Sequence, residues 1–253
     1  MGEGTEDNPY LIKTIEDFTL AFLSYDRIRY FRVENDIDAS GYSSIEHVYF
    51  LNYSGERISK FKIDGNNKTI NNLTIRNSYY YKSSIFSESI KNSLIKDLTF
   101  NNLKLDYEIS LNDYYVVLFG SCVNSLINNV TVNIVVEEKA ASIGAYSIKL
   151  FKSSSNTVVD GLKLTINDSG AKESLYLEMF NSGGENMQMK NSKITINYSN
   201  DGEKKVKLVL NKPFELDNNE IRVTTNNSFE VEYPENDINE NELKIYLNDS
   251  VYN

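Results

Sequence analysis

Apolar and polar positions alternate in short runs along this chain. Leu73-Thr74-Ile75, Val130-Thr131-Val132 and Ile194-Thr195-Ile196 each read apolar-polar-apolar. A period of two places every second side chain on one face, so each run predicts a strand with one buried side. The runs belong to a larger unit. Residues 118–132 read LFGSCVNSLINNVTV, residues 85–100 read IFSESIKNSLIKDLTF, and residues 150–164 read LFKSSSNTVVDGLKL. Each unit has an aliphatic-Phe pair, a Ser-rich turn, an Asn, two aliphatic residues, a polar pair and a closing aliphatic-x-aliphatic strand.

Taking the first aliphatic residue of each closing strand as an anchor gives Leu73, Leu98, Val130, Leu162, Ile194, Ile221 and Leu243, with steps of 25, 32, 32, 32, 27 and 22 residues. A second series, Phe86, Phe119, Phe151 and Phe180, has steps of 33, 32 and 29. Short strands at this period, with no helical run between them, predict one coil of β-structure per repeat. The expected fold is all-β: a single-stranded right-handed parallel β-helix, a solenoid, with Phe86, Phe119, Phe151 and Phe180 stacked as an internal ladder. Seven anchored coils and an N-terminal turn at about 4.8 Å each make a rod roughly 35–40 Å long. An evenly spaced β-sandwich is the alternative, but it needs no repeated Phe or Asn columns.

The beginning of the chain differs. Thr14 with Asp17 three residues later resembles a capping box, with Asp in the place of the usual Glu or Gln. Ile15, Phe18, Leu20, Phe22 and Leu23 give the segment an apolar side. A short helix here is expected to cover the open end of the first coil. The whole of 1–253 reads as one domain, with a cap over 1–30 and coils over 31–253.

Three groups of residues then bring a family into view: Gly4-Thr5 with Asn8-Pro9-Tyr10, Ile12 and Thr14; Asn35-Asp36-Ile37-Asp38; and Ile63-Asp64-Gly65-Asn66 with Thr69-Ile70. They resemble the opening of right-handed parallel β-helix proteins of the pectate-lyase-like superfamily, of the type found in bacterial surface proteins and phage appendages. The signature covers about the first 75 residues and the coil repeat covers the rest. The resemblance implies fold more than activity, because this architecture hosts lyases, hydrolases, adhesins and inert fibres. It also implies oligomers, often trimers.

Composition narrows the partners. The formal charge is −10, so a phosphate backbone is repelled and nucleic acid is not an expected partner. Anionic membranes are disfavoured for the same reason, and no apolar run reaches the length of a membrane-spanning helix. A single cysteine, Cys122, leaves no internal disulfide framework. No charged-then-apolar leader opens the sequence.

The search for chemistry finds little. A β-helix polysaccharide hydrolase carries several acids on neighbouring coils, often as an Asp-Asp pair, and this chain has no such pair. Asp97 and Asp160 are the acids of the regular middle. They stand two coils apart, roughly 10 Å along the axis, and one residue out of column. Adding Asp106 does not assemble a Ca²⁺ site with a basic proton acceptor. The only histidine, His47, falls in an irregular early stretch. No zinc spacing, phosphate loop or nucleophile elbow occurs. No catalytic set, cofactor or metal is therefore expected.

Asn92, Asn124 and Asn156 recur at steps of 32 and are expected as a structural turn ladder. Tyr79, Tyr80 and Tyr81, with Tyr114 and Tyr115, are the dense aromatic clusters. They suit a protein interface, plain coil packing or a glycan platform. The expected function is a non-enzymatic structural protein, a phage virion component such as a fibre, decoration or tail appendage. The alternative is a glycan-binding or glycan-cleaving receptor-recognition module. Expected partners are other virion or surface proteins, copies of the chain itself and a host glycan. The expected place is the virion, or alternatively the bacterial cell surface.

Overall fold

The computed structural model describes residues 2–23, 27–42, 59–77, 84–86, 89–107, 115–136, 145–168, 174–180, 186–199, 205–210, 214–232 and 242–252. Its main sheet runs in sequence order through Tyr10–Ile12, Arg29–Val33, Phe61–Asn71, Leu94–Tyr107, Leu126–Val136, Lys163–Asp168, Lys193–Tyr198, Asn219–Thr225 and Leu243–Leu247. Each of these strands pairs with the next in parallel. A second sheet stacks Tyr115–Val117, Ala145–Lys149, Ser174–Phe180, Lys205–Leu210 and Ser228–Glu232. A third stacks Ser89–Lys91, Ser121–Val123 and Ser153–Ser155. Strands that follow one another around the chain thus lie on different faces, and strands one repeat apart pair. This is a parallel β-solenoid. Eight steps between nine main-sheet strands give a stack about 38 Å long.

The core is a set of inward columns. Ile70, Phe100, Val132, Leu164, Ile194, Ile221 and Ile245 stand level with one another and are all buried. Their steps are 30, 32, 32, 30, 27 and 24 residues, which differ from those of the sequence anchors. Leu164, not Leu162, is level with Ile194, and Ile245, not Leu243, is level with Ile221. A slip of two residues keeps a side chain on the same face of a strand, so the anchors pointed inward even where they missed the register. Likewise Phe100, not Leu98, is level with Ile70, and Leu73 is buried elsewhere in the core.

Phe86, Phe119 and Phe151 stack along the axis at ring separations of 5.7 and 5.5 Å. Phe180 ends the strand Ser174–Phe180, and its side chain lies outside the described residues. The stack ends on the cap. Helix Ile15–Leu20 and the 3-10 turn Ala21–Leu23 drive Phe18 and Phe22 into the first coils, where Phe18 meets Phe86 and Phe100 and Phe22 meets Phe61. The capping box forms with Asp17: its backbone N–H donates to Thr14 Oγ1 at 3.2 Å, and its carboxylate accepts from the Thr14 N–H at 3.1 Å. The strand Tyr10–Ile12 precedes this helix and already belongs to the main sheet.

Asp64-Gly65-Asn66-Asn67 does not reverse the chain. It bulges within the single strand Phe61–Asn71, and the register shifts between Asp64 and Lys68. Asn66 and Asn67 are left-handed there, with φ of 52° and 55°. Gly65 is the residue that permits the bulge, because an added Cβ would lie 2.3 Å from the Asp97 carbonyl oxygen.

Candidate functional site

The surface of the rod is organised by its corners. Asn92, Asn124, Asn156 and Asn186 turn one corner with φ between 47° and 55°. Asp97, Asn129, Gly161, Asn191 and Asn218 turn a second, with φ from 51° to 70°. Left-handed backbone costs an ordinary L-residue roughly 1–2 kcal/mol, and Asn, Asp and Gly tolerate it best. The side chains then link coil to coil. Asn124 donates to Asn92 at 3.3 Å and Asn186 to Asn156 at 2.9 Å. At the second corner Asn129 donates to Asp97 at 2.7 Å and Asn218 to Asn191 at 3.0 Å. Asn102 donates to Asn72, and Asn72 to Asp38, whose carboxyl is held below its usual range chiefly by that amide. The second column was missed in the sequence because it mixes Asp, Asn and Gly. Left-handed tolerance, rather than identity, was the signal available.

The residue after a corner often points inward with a hydroxyl. Ser93 accepts from the Phe61 N–H at 3.1 Å and donates to the Lys91 carbonyl. Ser125 accepts from the Ser93 N–H and donates to the Val123 carbonyl, and Ser192 accepts from the Leu162 N–H. These buried hydroxyls satisfy backbone groups that the turn takes out of the ladder. The Asn-Ser dipeptide is therefore one device, with an outward amide and an inward hydroxyl.

The carboxylates are engaged in the same lattice. Asp160 accepts from Asn191 at 2.9 Å and lies 3.6 Å from Lys190. Asp97 accepts from Asn129 and lies 3.7 Å from Lys96, which also pairs with Asp64 at 3.1 Å. Asp97 stands at the corner, while Asp160 is level with Asn128, one position earlier. Near the last coils Glu220 holds Arg222 at 2.6 Å and Lys193 at 3.1 Å, and the Arg222 guanidinium lowers its pKa. Glu230 is lowered mainly by Lys205, and Lys207 is raised mainly by Glu232. These groups are mostly exposed, so each pair is worth little in stability. Among the described residues no group of three or more His, Cys, Asp or Glu side chains is placed to hold a metal ion.

Tyr79, Tyr80, Tyr81, Tyr114 and His47 lie outside the described residues. Tyr115 begins the strand Tyr115–Val117, level with Ser147, which is level in turn with Tyr176. Lys205 sits 5.8 Å from the Tyr176 ring centre. Cys122 is fully buried, its Sγ donates to the Phe119 carbonyl at 3.2 Å, and burial pushes its thiol pKa far up. Among the described residues no helix is long and apolar enough to cross a membrane.

No family model matches the sequence. Over 105 residues the chain is 36% identical to halomucin of Haloquadratum walsbyi, a stretch that is 40% of this chain and 1% of halomucin. The whole chain superposes on 81% of a crystal structure of a candidate immunoglobulin A1 protease from Bacteroides ovatus, at 13% identity and a TM-score of 0.40. At that score the superposition adds nothing to a fold that rests on strand register.

Proposed function

We propose that this chain is a non-enzymatic structural module: a stiff β-solenoid rod that serves as spacer or scaffold in a surface or virion assembly. The finer reading is a phage virion component of the pectate-lyase-like β-helix type, a fibre, decoration or tail appendage. One observation carries the structural part. The acids of the regular middle that could serve as a general acid or base already hold partners: Asp97 has Asn129 of the next coil and its own neighbour Lys96, and Asp160 has Asn191 and Lys190 of the next coil. An inverting carboxylate pair needs about 6.5–9.5 Å and shared access to one sugar, and side chains committed to coil stacking do not supply that.

Two experiments test it. The purified chain is incubated with bacterial envelope polysaccharides and assayed for new reducing ends. No release is expected, and release that disappears in Asp160→Asn would overturn the reading. Immunogold labelling with an antibody to the chain then separates the assemblies. Label on particle appendages is expected, and label on intact cell envelopes alone removes the virion reading in favour of a surface protein.

Glycan recognition is a second reading, favoured by the Tyr176–Lys205 pair, an aromatic ring beside a hydrogen-bond donor. A silent glycan array removes it.

A further inference from the structure

One outward column crosses seven coils in unbroken register: Arg32, Asp64, Lys96, Asn128, Asp160, Lys190 and Asp217. Its charges alternate along the rod. They also invert about its middle. Counting outward from Asn128, Lys96 mirrors Asp160, Asp64 mirrors Lys190, and Arg32 mirrors Asp217. The next column on the same face reads Lys62, Leu94, Leu126, Val158, Gln188 and Glu215. Leu126 is level with the mirror point and is 37% exposed, among the few large apolar side chains left open to solvent. Leu94 and Val158 flank it, half-buried.

We propose that this face is a self-association surface on which two copies of the chain lie antiparallel. The two-fold axis lies in the contact plane, across the rods, at Leu126 and Asn128. A half-turn about that axis sets Lys96 against Asp160 of the second copy, Asp64 against its Lys190 and Arg32 against its Asp217. Leu126 meets its own equivalent, and Leu94 meets Val158. The contact is isologous, so each charged match occurs twice. Both rods share one coil spacing, about 4.8 Å, so a match at one rung is kept at the others. A parallel arrangement would set Arg32, Asp64 and Lys96 against themselves, and like charges so placed are repulsive. These groups keep their in-chain partners and still reach the surface, where a second copy can add a further contact. Lys96 and Asp64 each remain 37% exposed, and Lys190 and Asp160 remain 40% and 28% exposed.

The face is about 29 Å long over six coil steps and about 14 Å wide over the four residues between corners, near 400 Å² per copy. That is at the low end of specific interfaces, so the dimer is expected to be of micromolar affinity. This inference goes beyond the structural-module reading and does not depend on it. It stands in place of the trimer that the family resemblance implies.

Sedimentation equilibrium on the full chain, over about 1–100 µM, tests it. Twice the monomer mass of 29.0 kDa is expected at the upper end. Leu126→Asp is expected to weaken the dimer at least about tenfold, and so is Lys96→Glu, while Lys96→Glu with Asp160→Lys recovers most of the loss. Circular dichroism of each variant establishes that the fold is retained. Direction is read by cysteine pairing, with the native Cys122 buried and silent. Leu94→Cys chains should link to Val158→Cys chains and not to themselves. A monomer throughout the range, a trimer, a dimer indifferent to Leu126→Asp, or self-linking Leu94→Cys chains would each overturn the proposal.

Discussion

Asn129 donates from its side-chain amide to the Asp97 carboxylate one coil away at 2.7 Å, and both backbones are left-handed, with φ of 51° and 52°. The two roles are inseparable in Asn: its short side chain tolerates the turn and then bonds along the axis. Separate substitutions divide them. Asn129→Gly keeps the turn and loses the bond, at an expected cost of about 1 kcal/mol. Asn129→Ala loses both and should cost about 2 kcal/mol or more. Gly161 already occupies the next rung of the same column, which argues that Gly is tolerated there. Urea denaturation checks this through the midpoint at unchanged slope. Equal losses for the two variants would remove the left-handed strain from the account.

The Phe stack predicts a larger effect. Phe119 is fully buried between Phe86 and Phe151, with no water-accessible side to relax into. Phe119→Ala should destabilise by about 3–5 kcal/mol. Thermal melting of the variant checks the size. A loss under about 1 kcal/mol would mean that the neighbouring coils collapse into the gap, and that the stack is not a continuous core.

Much of this architecture was readable in the sequence. Alternation marked the strands, and recurring Phe and Asn marked the coils, because the first corner meets its left-handed backbone with Asn at every rung. Rung-by-rung register was not readable. Leu162 and Leu164 both point inward, so hydrophobicity alone cannot say which one is level with Ile194. The second corner was hidden because Asp97, Asn129 and Gly161 share a backbone conformation rather than a chemical type. The alternating charge column also escaped, since its members are 27 to 32 residues apart and become neighbours only once the coils stack.

Cys122 should be chemically silent. Burial raises its thiol pKa, so the reactive thiolate is scarce in the folded chain. A thiol reagent such as Ellman's is expected to label it only on unfolding, at the rate of global opening. The same burial has a sign in pH. A raised acid pKa means that the folded chain holds a proton the unfolded chain releases. Its contribution is intact below the unfolded thiol's value, 9.0, and is lost as pH rises above it. Stability should therefore fall as pH rises from about 9 upward, and Cys122→Ala should flatten that slope. Fast labelling of the native chain at neutral pH would contradict the burial.

The C-terminal hairpin makes the last prediction. Asn248 and Asp249 are both left-handed, with φ of 47° and 63°, and Leu247 pairs with Ser250 across them. Two left-handed residues in a two-residue loop give the primed turn that matches the twist of antiparallel strands. Asn248 also clasps the previous coil, accepting from the Thr225 N–H and donating to the Thr225 carbonyl, both at 3.0 Å. Ser250–Val251 then pairs with Tyr246 and Leu247 at the outer edge, the Tyr252 N–H donates to the Ile245 carbonyl, and the Tyr252 ring closes over Phe229 at a ring separation of 4.8 Å. Every other strand pairing in the described residues is parallel, so this one reversal is what covers an edge that a further parallel strand could extend. Ending the chain after Leu247 should leave the edge bare. The truncated chain is expected to form higher-mass species by light scattering, with thioflavin T fluorescence rising alongside. Asn248→Pro, which cannot adopt a left-handed φ, should act in the same direction with the full length kept. Truncation that leaves the mass unchanged and the fluorescence flat would mean that the edge is protected by something other than the hairpin.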